Sequence, residues 1–256
     1  MSSTANANGS EQRHWVDRLV RVEPRAPWMV PYLAYLFFFM LTDLFPKQLG
    51  HVAIVLHTLA ALYVAWLFRR HLPSLGRPHM LTSLVVGVGA AWLWVAGQHW
   101  LDGVTVGGMN LGGQFPLFNK MTFLFPSGGE PANPHADYGD GAAFWAHVVL
   151  KITRACTAVP IVEELFWRGF ILRAFVKWER FDEVPLGTFT WFSFLGSSVL
   201  SILQHPNNWG VSVACWMLFN AVFIWRRSLM CLILTHAITN LVLYVYVVQS
   251  GDWRFW

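Results

Sequence analysis

The chain has 256 residues, of which 55% are hydrophobic and 12% are charged, and its mean hydropathy is +0.42. A water-soluble domain carries about 25% charged residues, so this composition excludes one and predicts a membrane protein. The net charge of +4 requires no nucleic-acid partner, because the cytoplasmic loops of membrane proteins collect an excess of Lys and Arg.

The amino-terminal segment, residues 1–27, lacks the apolar stretch of a cleavable secretory signal. We therefore expect a cytoplasmic segment here, and we expect the first apolar run after it to remain as a membrane anchor. Residues 28–140 then form an amino-terminal transmembrane region with a long external loop, and residues 141–256 form a second transmembrane region that carries the polar motifs.

A membrane-spanning helix needs about 20 mostly apolar residues. The longest such region, 141–177, is either a single helix kinked at Pro160 or two pieces broken there. The sequence thus predicts an all-α, polytopic transmembrane bundle of about seven spans, or eight if that region breaks. The six other apolar runs are 28–46, 51–68, 80–100, 187–205, 209–226 and 229–248.

Basic residues alternate between the two sides of this bundle as the inside-positive rule requires, if the amino terminus is cytoplasmic. The alternation is satisfied if 141–177 is one span, which gives seven spans in all. It is disturbed if 141–177 is a separate pair of helices that re-enters the membrane. The long loop at 101–142 is rich in Gly and Pro and is either an ordinary external loop or a lid over a cavity. The residues assigned to the cytoplasmic side are Arg13, Arg18, Arg21, Arg25, Arg69, Arg70, Arg77, Lys177, Arg180, Arg226 and Arg227.

Charged residues interrupt the apolar run Val159–Arg173, where each ionisable group costs several kcal/mol unless it is paired or hydrated. Glu164 and Arg168 have the i,i+4 spacing of a helical ion pair. Glu163 points about 100° away around the helix and lacks that partner, which makes it a candidate general base. The alternative is a structural charge cluster of both acids with Arg168 and Arg173.

Two further polar groups lie in the apolar runs downstream. His236 and Asn240 are four residues apart and share a helix face, which suits two hydrogen-bond donors aimed at one point. His205 lies near the end of its run, where a lone histidine is also common as an interfacial residue. Three polar clusters on three apolar helices predict one convergent site. Lys151 and Arg154 either extend to the membrane surface or pair with the glutamates.

These motifs, Glu163-Glu164-x-x-x-Arg168, then His205, then His236-x-x-x-Asn240, resemble those of the CAAX prenyl endopeptidase and bacteriocin-processing family of intramembrane proteases. The resemblance covers about residues 141–248. It implies transmembrane helices packed around a polar intramembrane cavity, and hydrolysis of peptide bonds within or near the membrane. One position departs from the family pattern, because Ser201 stands where the family often has phenylalanine, four residues before the second-motif histidine.

The same resemblance implies roles for the matching residues. Glu163 with His205 activates water, and His236 with Asn240 stabilises the oxyanion. Glu164 and Arg168, as an ion pair, hold the first motif in register and give structural support. No cofactor is predicted, but zinc remains open, because a glutamate and two histidines (Glu163, His205 and His236) can also hold zinc with a free water position.

In the amino-terminal 140 residues, the stretch VPYLAYLFFFMLTDLFP and the many tryptophans resemble the CAAX-protease-related proteins of bacterial exosortase sorting systems. This resemblance implies a bacterial inner membrane location and partners among exosortase-system proteins. The expected substrate is a membrane-associated or lipid-modified protein, and a prenylated protein, a bacterial leader peptide and a sorting-signal protein all stay open. A different class of function stays open, namely a non-proteolytic membrane binding or immunity protein of the same fold. A rhomboid-like serine protease built on Ser197 or Ser198 with His236 is the other alternative.

Overall fold

The computed structural model describes residues 15–42, 44–46, 49–119 and 133–256. Within these ranges the chain is helical apart from its connections and one antiparallel two-stranded sheet, formed by β1 (Thr105–Val106) and β2 (Met109–Asn110). The predicted all-α class is therefore confirmed. Residues 1–14 of the predicted cytoplasmic segment and 120–132 of the predicted loop lie outside the described residues.

Each predicted apolar run corresponds to helical structure. Among the described residues, five segments are long and apolar enough to cross a membrane, namely Gly50–His71, Met80–Leu101, Ala142–Ala174, Pro206–Arg226 and Leu229–Ser250. Two shorter apolar helices, Ala26–Thr42 and Trp191–Leu203, occupy the other two runs. The helices are α1 (Ala26–Thr42), α2 (Gly50–Phe68), α3 (Met80–Leu101), α4 (Pro116–Asn119), α5 (Pro134–Tyr138), α6 (Ala142–Cys156), α7 (Ala158–Glu164), α8 (Leu172–Ala174), α9 (Trp191–Leu200), α10 (Trp209–Arg226) and α11 (Leu229–Ser250).

The long charged region breaks, but not at the proline. Thr157 leaves the helical conformation, with φ −122° and ψ −75°, and separates α6 from α7. Pro160 lies in the first turn of α7, where its missing N–H costs little. The two pieces still form one 33-residue apolar segment, so the break does not add the eighth span.

A π-helix, Leu165–Ile171, directly follows the two glutamates. A π-helical turn inserts extra backbone into an α-helix and is often found at functional sites. It changes the angular spacing of the side chains that follow it, so Arg173 is not where a continuous α-helix would place it.

The basic segments meet at one end of the bundle, as the charge pattern predicts. The carboxyl-terminal turn, Trp253–Phe255, lies at the opposite end, where α11 finishes. Contacts that join the basic segments are Asp17 with His71 (2.9 Å), Arg25 with the Trp178 ring (5.7 Å) and the Ser228 hydroxyl with the carbonyl of Arg77 (2.6 Å).

The core next to the charged helix is packed against α1. Trp28, Leu165 and Phe170 are at most 4% exposed and belong to one hydrophobic cluster. Gly169 lies in the π-helix directly beneath the Trp28 ring, and a Cβ atom at this position would stand 2.3 Å from Trp28 Cε3. A glycine is needed here because the indole ring occupies the space of a side chain.

We expect Gly169→Ala to destabilise the fold, because a buried overpacked site costs about 1–3 kcal/mol. Gly89→Ala is the matched control, because a Cβ there meets nothing within 4 Å. The measurement is the thermal unfolding midpoint and the yield of monodisperse protein in detergent for both variants. Equal stability of Gly169→Ala and Gly89→Ala would show that the contact between α1 and the π-helix is not close.

Candidate active site

A cavity of about 310 Å³ lies inside the helical bundle. Its walls include all four residues predicted to act in hydrolysis, which are Glu163 from α7, His205 from the connection between α9 and α10, and His236 and Asn240 from α11. The volume is at the small end of the range for ligand sites in proteins, about 300–1,000 Å³. The structure therefore brings the three sequence motifs together on one enclosed space.

The two adjacent glutamates face different surroundings. Glu163 lines the cavity, whereas the Glu164 side chain is completely buried behind it. The Glu163 carboxylate has the Gln204 side chain as a hydrogen-bonding neighbour and lies in the electrostatic field of His236. Gln204 was not predicted, although it directly precedes His205 in the sequence.

Glu164 connects two of the motifs. Its Oε2 lies 3.1 Å from Arg168 Nη1, and its Oε1 lies 2.8 Å from His236 Nδ1. The ion pair with Arg168 follows from their spacing, but the contact with His236 joins residues 72 positions apart and no local pattern indicates it. Since Nδ1 is held by Glu164, the Nε2 atom is the ring nitrogen left to face the cavity.

Arg168 is 1% exposed and extends this network away from the cavity. Its Nε donates to Asn220 Oδ1 at 3.0 Å, and Asn220 in turn donates to the hydroxyls of Ser197 (2.9 Å) and Ser198 (3.0 Å). These two serines are hydrogen-bond acceptors behind the site and do not line the cavity. The alternative of a serine nucleophile paired with His236 is therefore wrong.

Arg173 does not join the glutamates, contrary to the alternative of a four-residue charge cluster. Its guanidinium donates to three backbone carbonyls, with Nε to Val184 (2.7 Å), Nη1 to Gly169 (2.9 Å) and Nη2 to Asp182 (3.1 Å). Arg173 thus fixes the connection after the charged helix, and the charge of Glu164 is balanced by Arg168.

His205 follows the short 3₁₀ turn Ser201–Leu203 that ends the α9 segment. Its ring meets the edges of Trp94 (centroid distance 5.0 Å) and Trp216 (5.6 Å), and its backbone N–H donates to the carbonyl of Ser201 at 3.0 Å. His205 and His236 also interact electrostatically. These aromatic contacts hold the imidazole at the cavity wall. The phenylalanine that the family often has at the position of Ser201 is therefore not needed for this purpose.

Asn240 joins α11 to the break in the charged region. Its Nδ2 donates to the carbonyl of Ala155 at 2.7 Å, in the last turn of α6 just before Thr157. The backbone groups at the end of a helix lack partners within the helix, so a side-chain donor is well placed there. One of the two Nδ2 hydrogens is used in this way, and the second is available to the cavity.

Residues 145–242 match the family model described as Type II CAAX prenyl endopeptidase Rce1-like. The matched range contains all six motif residues that line or support the cavity. The match makes this region similar to CAAX proteases over less than half of the chain. No curated protein and no solved structure matches the chain. The amino-terminal helices lie outside the match, so the exosortase-associated subgroup receives no support from it.

The cavity in the matched region offers two kinds of chemistry, a proton acceptor and hydrogen-bond donors. Glu163 is the carboxylate that reaches the space, while His205, His236 and Asn240 present nitrogen atoms to it. Within the described ranges, no three His, Cys, Asp or Glu side chains are arranged to hold a metal ion.

Proposed function

We propose that this chain is an intramembrane endopeptidase that hydrolyses peptide bonds of a membrane-associated or lipid-modified protein by glutamate- and histidine-activated water. One observation carries the proposal, namely that Glu163, His205, His236 and Asn240 line a single cavity in the region that matches the CAAX-protease family. A binding or immunity protein would not require a proton acceptor and oxyanion donors in the same space.

The first step is activation of water. Glu163 accepts a proton from a water molecule that His205 orients, and the resulting hydroxide attacks the carbonyl carbon of the scissile peptide bond. A carbon–oxygen bond forms, and the carbonyl oxygen takes up the negative charge. When the carbon–nitrogen bond breaks, Glu163 returns its proton to the leaving amine, so the carboxylate is regenerated.

The second requirement is stabilisation of the oxyanion. His236, when protonated on both ring nitrogens, donates from Nε2, and Asn240 donates the second hydrogen of Nδ2. Glu164 acts as a positioning residue, because it accepts the Nδ1 hydrogen of His236 and so keeps Nε2 towards the cavity. Arg168 balances the charge of Glu164.

We expect Asn240→Ala to lower kcat by about 10²–10³-fold while KM changes far less, because an oxyanion donor acts in the transition state and not in substrate binding. The measurement is the steady-state kinetics of the purified variant, with folded yield as a control because the bond to Ala155 is also lost. A raised KM with unchanged kcat would instead assign Asn240 to substrate binding.

We also propose that no metal takes part. Asn240 is a poor zinc ligand, and its position one turn from His236 on α11 suits donation of a hydrogen bond to a developing oxyanion. Purified enzyme is then expected to keep its full turnover after dialysis against strong chelators. Stoichiometric zinc, with activity lost on its removal and restored on its return, would refute the metal-free mechanism.

The bilayer side from which substrate enters follows from charge. The cavity is lined by Arg254, Phe255 and Trp256, which lie at the end of the bundle opposite the basic segments. With the basic end and the amino terminus cytoplasmic, we propose that the protein resides in a bacterial inner membrane and that substrate enters from the external side. Substrate candidates include membrane proteins of an exosortase-type sorting system.

The experiment that tests this function is comparative membrane proteomics of cells that carry the wild-type chain or Glu163→Gln. A protease predicts that one or a few membrane proteins accumulate as longer precursors only in the variant. Glu179→Gln is the matched control, because it makes the same chemical change at an exposed glutamate in the connection that follows the charged helix. Identical terminal peptides in all three proteomes would favour the binding or immunity function.

A further inference from the structure

Two cations in the cavity have no role in the hydrolytic mechanism. Lys151 and Arg154 stand one turn apart on α6 and both line the cavity wall. Within the described ranges, no carboxylate lies within 4.0 Å of either side-chain nitrogen group. Lys151 and Arg154 therefore do not pair with the glutamates.

The contacts of both cations are neutral. Lys151 Nζ lies 4.1 Å from the centroid of the Trp256 ring and 5.6 Å from that of Tyr244. Arg154 Nη1 donates to Nδ1 of His57 at 3.3 Å, and the other ring nitrogen of His57 lies 3.0 Å from a backbone carbonyl oxygen. These contacts orient the two cations but do not cancel their charge, and unbalanced charge within an apolar bundle marks a functional position.

Arg254, a third cation of the cavity wall, is different because it is already neutralised. Its Nη1 lies 2.5 Å from Asp102 Oδ2, and its Nε lies 3.6 Å from Asp252 Oδ1. The excess positive charge of the cavity is therefore located at Lys151 and Arg154.

The cationic pair belongs to the same cavity as the hydrolytic residues but is separated from them. Tyr35 and Tyr244 also line the cavity, and each interacts electrostatically with both Arg154 and Glu163. Arg154 lies in the last turn of α6, whereas Glu163 lies in α7, beyond the break at Thr157.

We infer that Lys151 and Arg154 form an anion subsite that binds a carboxylate of the peptide substrate away from the scissile bond. This inference rests on the proposed function. The carboxylate has two sources with the same chemistry, the free carboxyl end of the substrate or an Asp or Glu side chain. Either would pair with two cations that are already oriented, and so would fix which peptide bond reaches Glu163.

The test measures binding without turnover. The full chain carrying Glu163→Gln is placed in phosphatidylcholine nanodiscs, and three fluorescent N-dodecanoyl octapeptides of otherwise neutral sequence are titrated. The first has a free carboxyl end, the second an amidated end, and the third an amidated end with one internal Glu. Additional changes in this background are Lys151→Gln, Arg154→Gln, the charge-preserving Lys151→Arg, and Arg70→Gln, which removes an exposed cation outside the cavity.

We expect at least one carboxylate peptide to bind about tenfold or more tightly than the neutral amide, as a charge-assisted hydrogen bond provides. Lys151→Gln and Arg154→Gln should each lose this preference, whereas Lys151→Arg and Arg70→Gln should keep it. Preference for the free end assigns the subsite to the terminal carboxylate, and preference for the internal Glu assigns it to a side chain.

The inference is overturned if no carboxylate preference is measured, including the case in which no peptide binds, or if the preference survives Lys151→Gln and Arg154→Gln together. A carboxylate preference in a chain whose wild-type form cleaves no precursor would refute the proposed function but leave the subsite standing.

Discussion

Glu163→Gln is expected to reduce kcat by about 10²–10⁴-fold, the contribution of a general base, while leaving the amount of folded protein unchanged. Gln has nearly the same shape as Glu but cannot accept the proton of water. Glu163 lines the cavity and has no salt bridge in the described part of the chain, so the fold does not depend on its charge. The measurement is turnover of an identified precursor by purified protein, with monodisperse yield measured in parallel.

Glu164→Gln is the matched control, since it makes the same chemical change one residue later. It removes the charge that Arg168 and His236 both contact, so it should lower folded yield as well as turnover. If Glu163→Gln lost folded protein and Glu164→Gln retained it, the assignment of the base and of the positioning residue would have to be exchanged.

Arg168→Ala is expected to cause the largest loss of stability, about 3–5 kcal/mol, because it leaves Glu164 as an unbalanced buried charge. The cation is 1% exposed and also donates to Asn220, so water cannot replace it. Folded protein in membranes should fall together with activity. The measurement is membrane abundance and the unfolding midpoint of the detergent-solubilised variant.

Arg180→Ala provides the control for this prediction. Arg180 also pairs with a glutamate, Glu183, but their side chains are 64% and 41% exposed, and an exposed ion pair contributes about 0–1 kcal/mol. This variant should fold normally. Normal abundance of Arg168→Ala with lost activity would place Arg168 in the chemistry instead of in the support of Glu164.

The spans and the polar motifs could be predicted from local sequence, because their physical causes are local. Lipid requires a long apolar run for each crossing helix, and this rule located the helices that the structure contains. The i,i+4 spacing likewise predicted the pair of Glu164 with Arg168, and the 100° turn per residue predicted that Glu163 faces elsewhere.

Other features of the site depend on how the helices pack and had no local signal. The contact of Glu164 with His236 and that of Asn240 with Ala155 join distant parts of the chain. Even the break was misplaced at Pro160, since a proline in the first turn of a helix is well tolerated and the distortion falls on Thr157.

The most direct test of the account is reconstitution of the cleavage. A precursor that accumulates in Glu163→Gln membranes is purified, mixed in liposomes with the purified wild-type chain in the presence of a chelator, and its products are identified by mass spectrometry. The proposed mechanism predicts a new terminus identical to that of the mature protein in wild-type cells, and no product with Glu163→Gln. An uncut precursor, or equal cutting by both proteins, would contradict it.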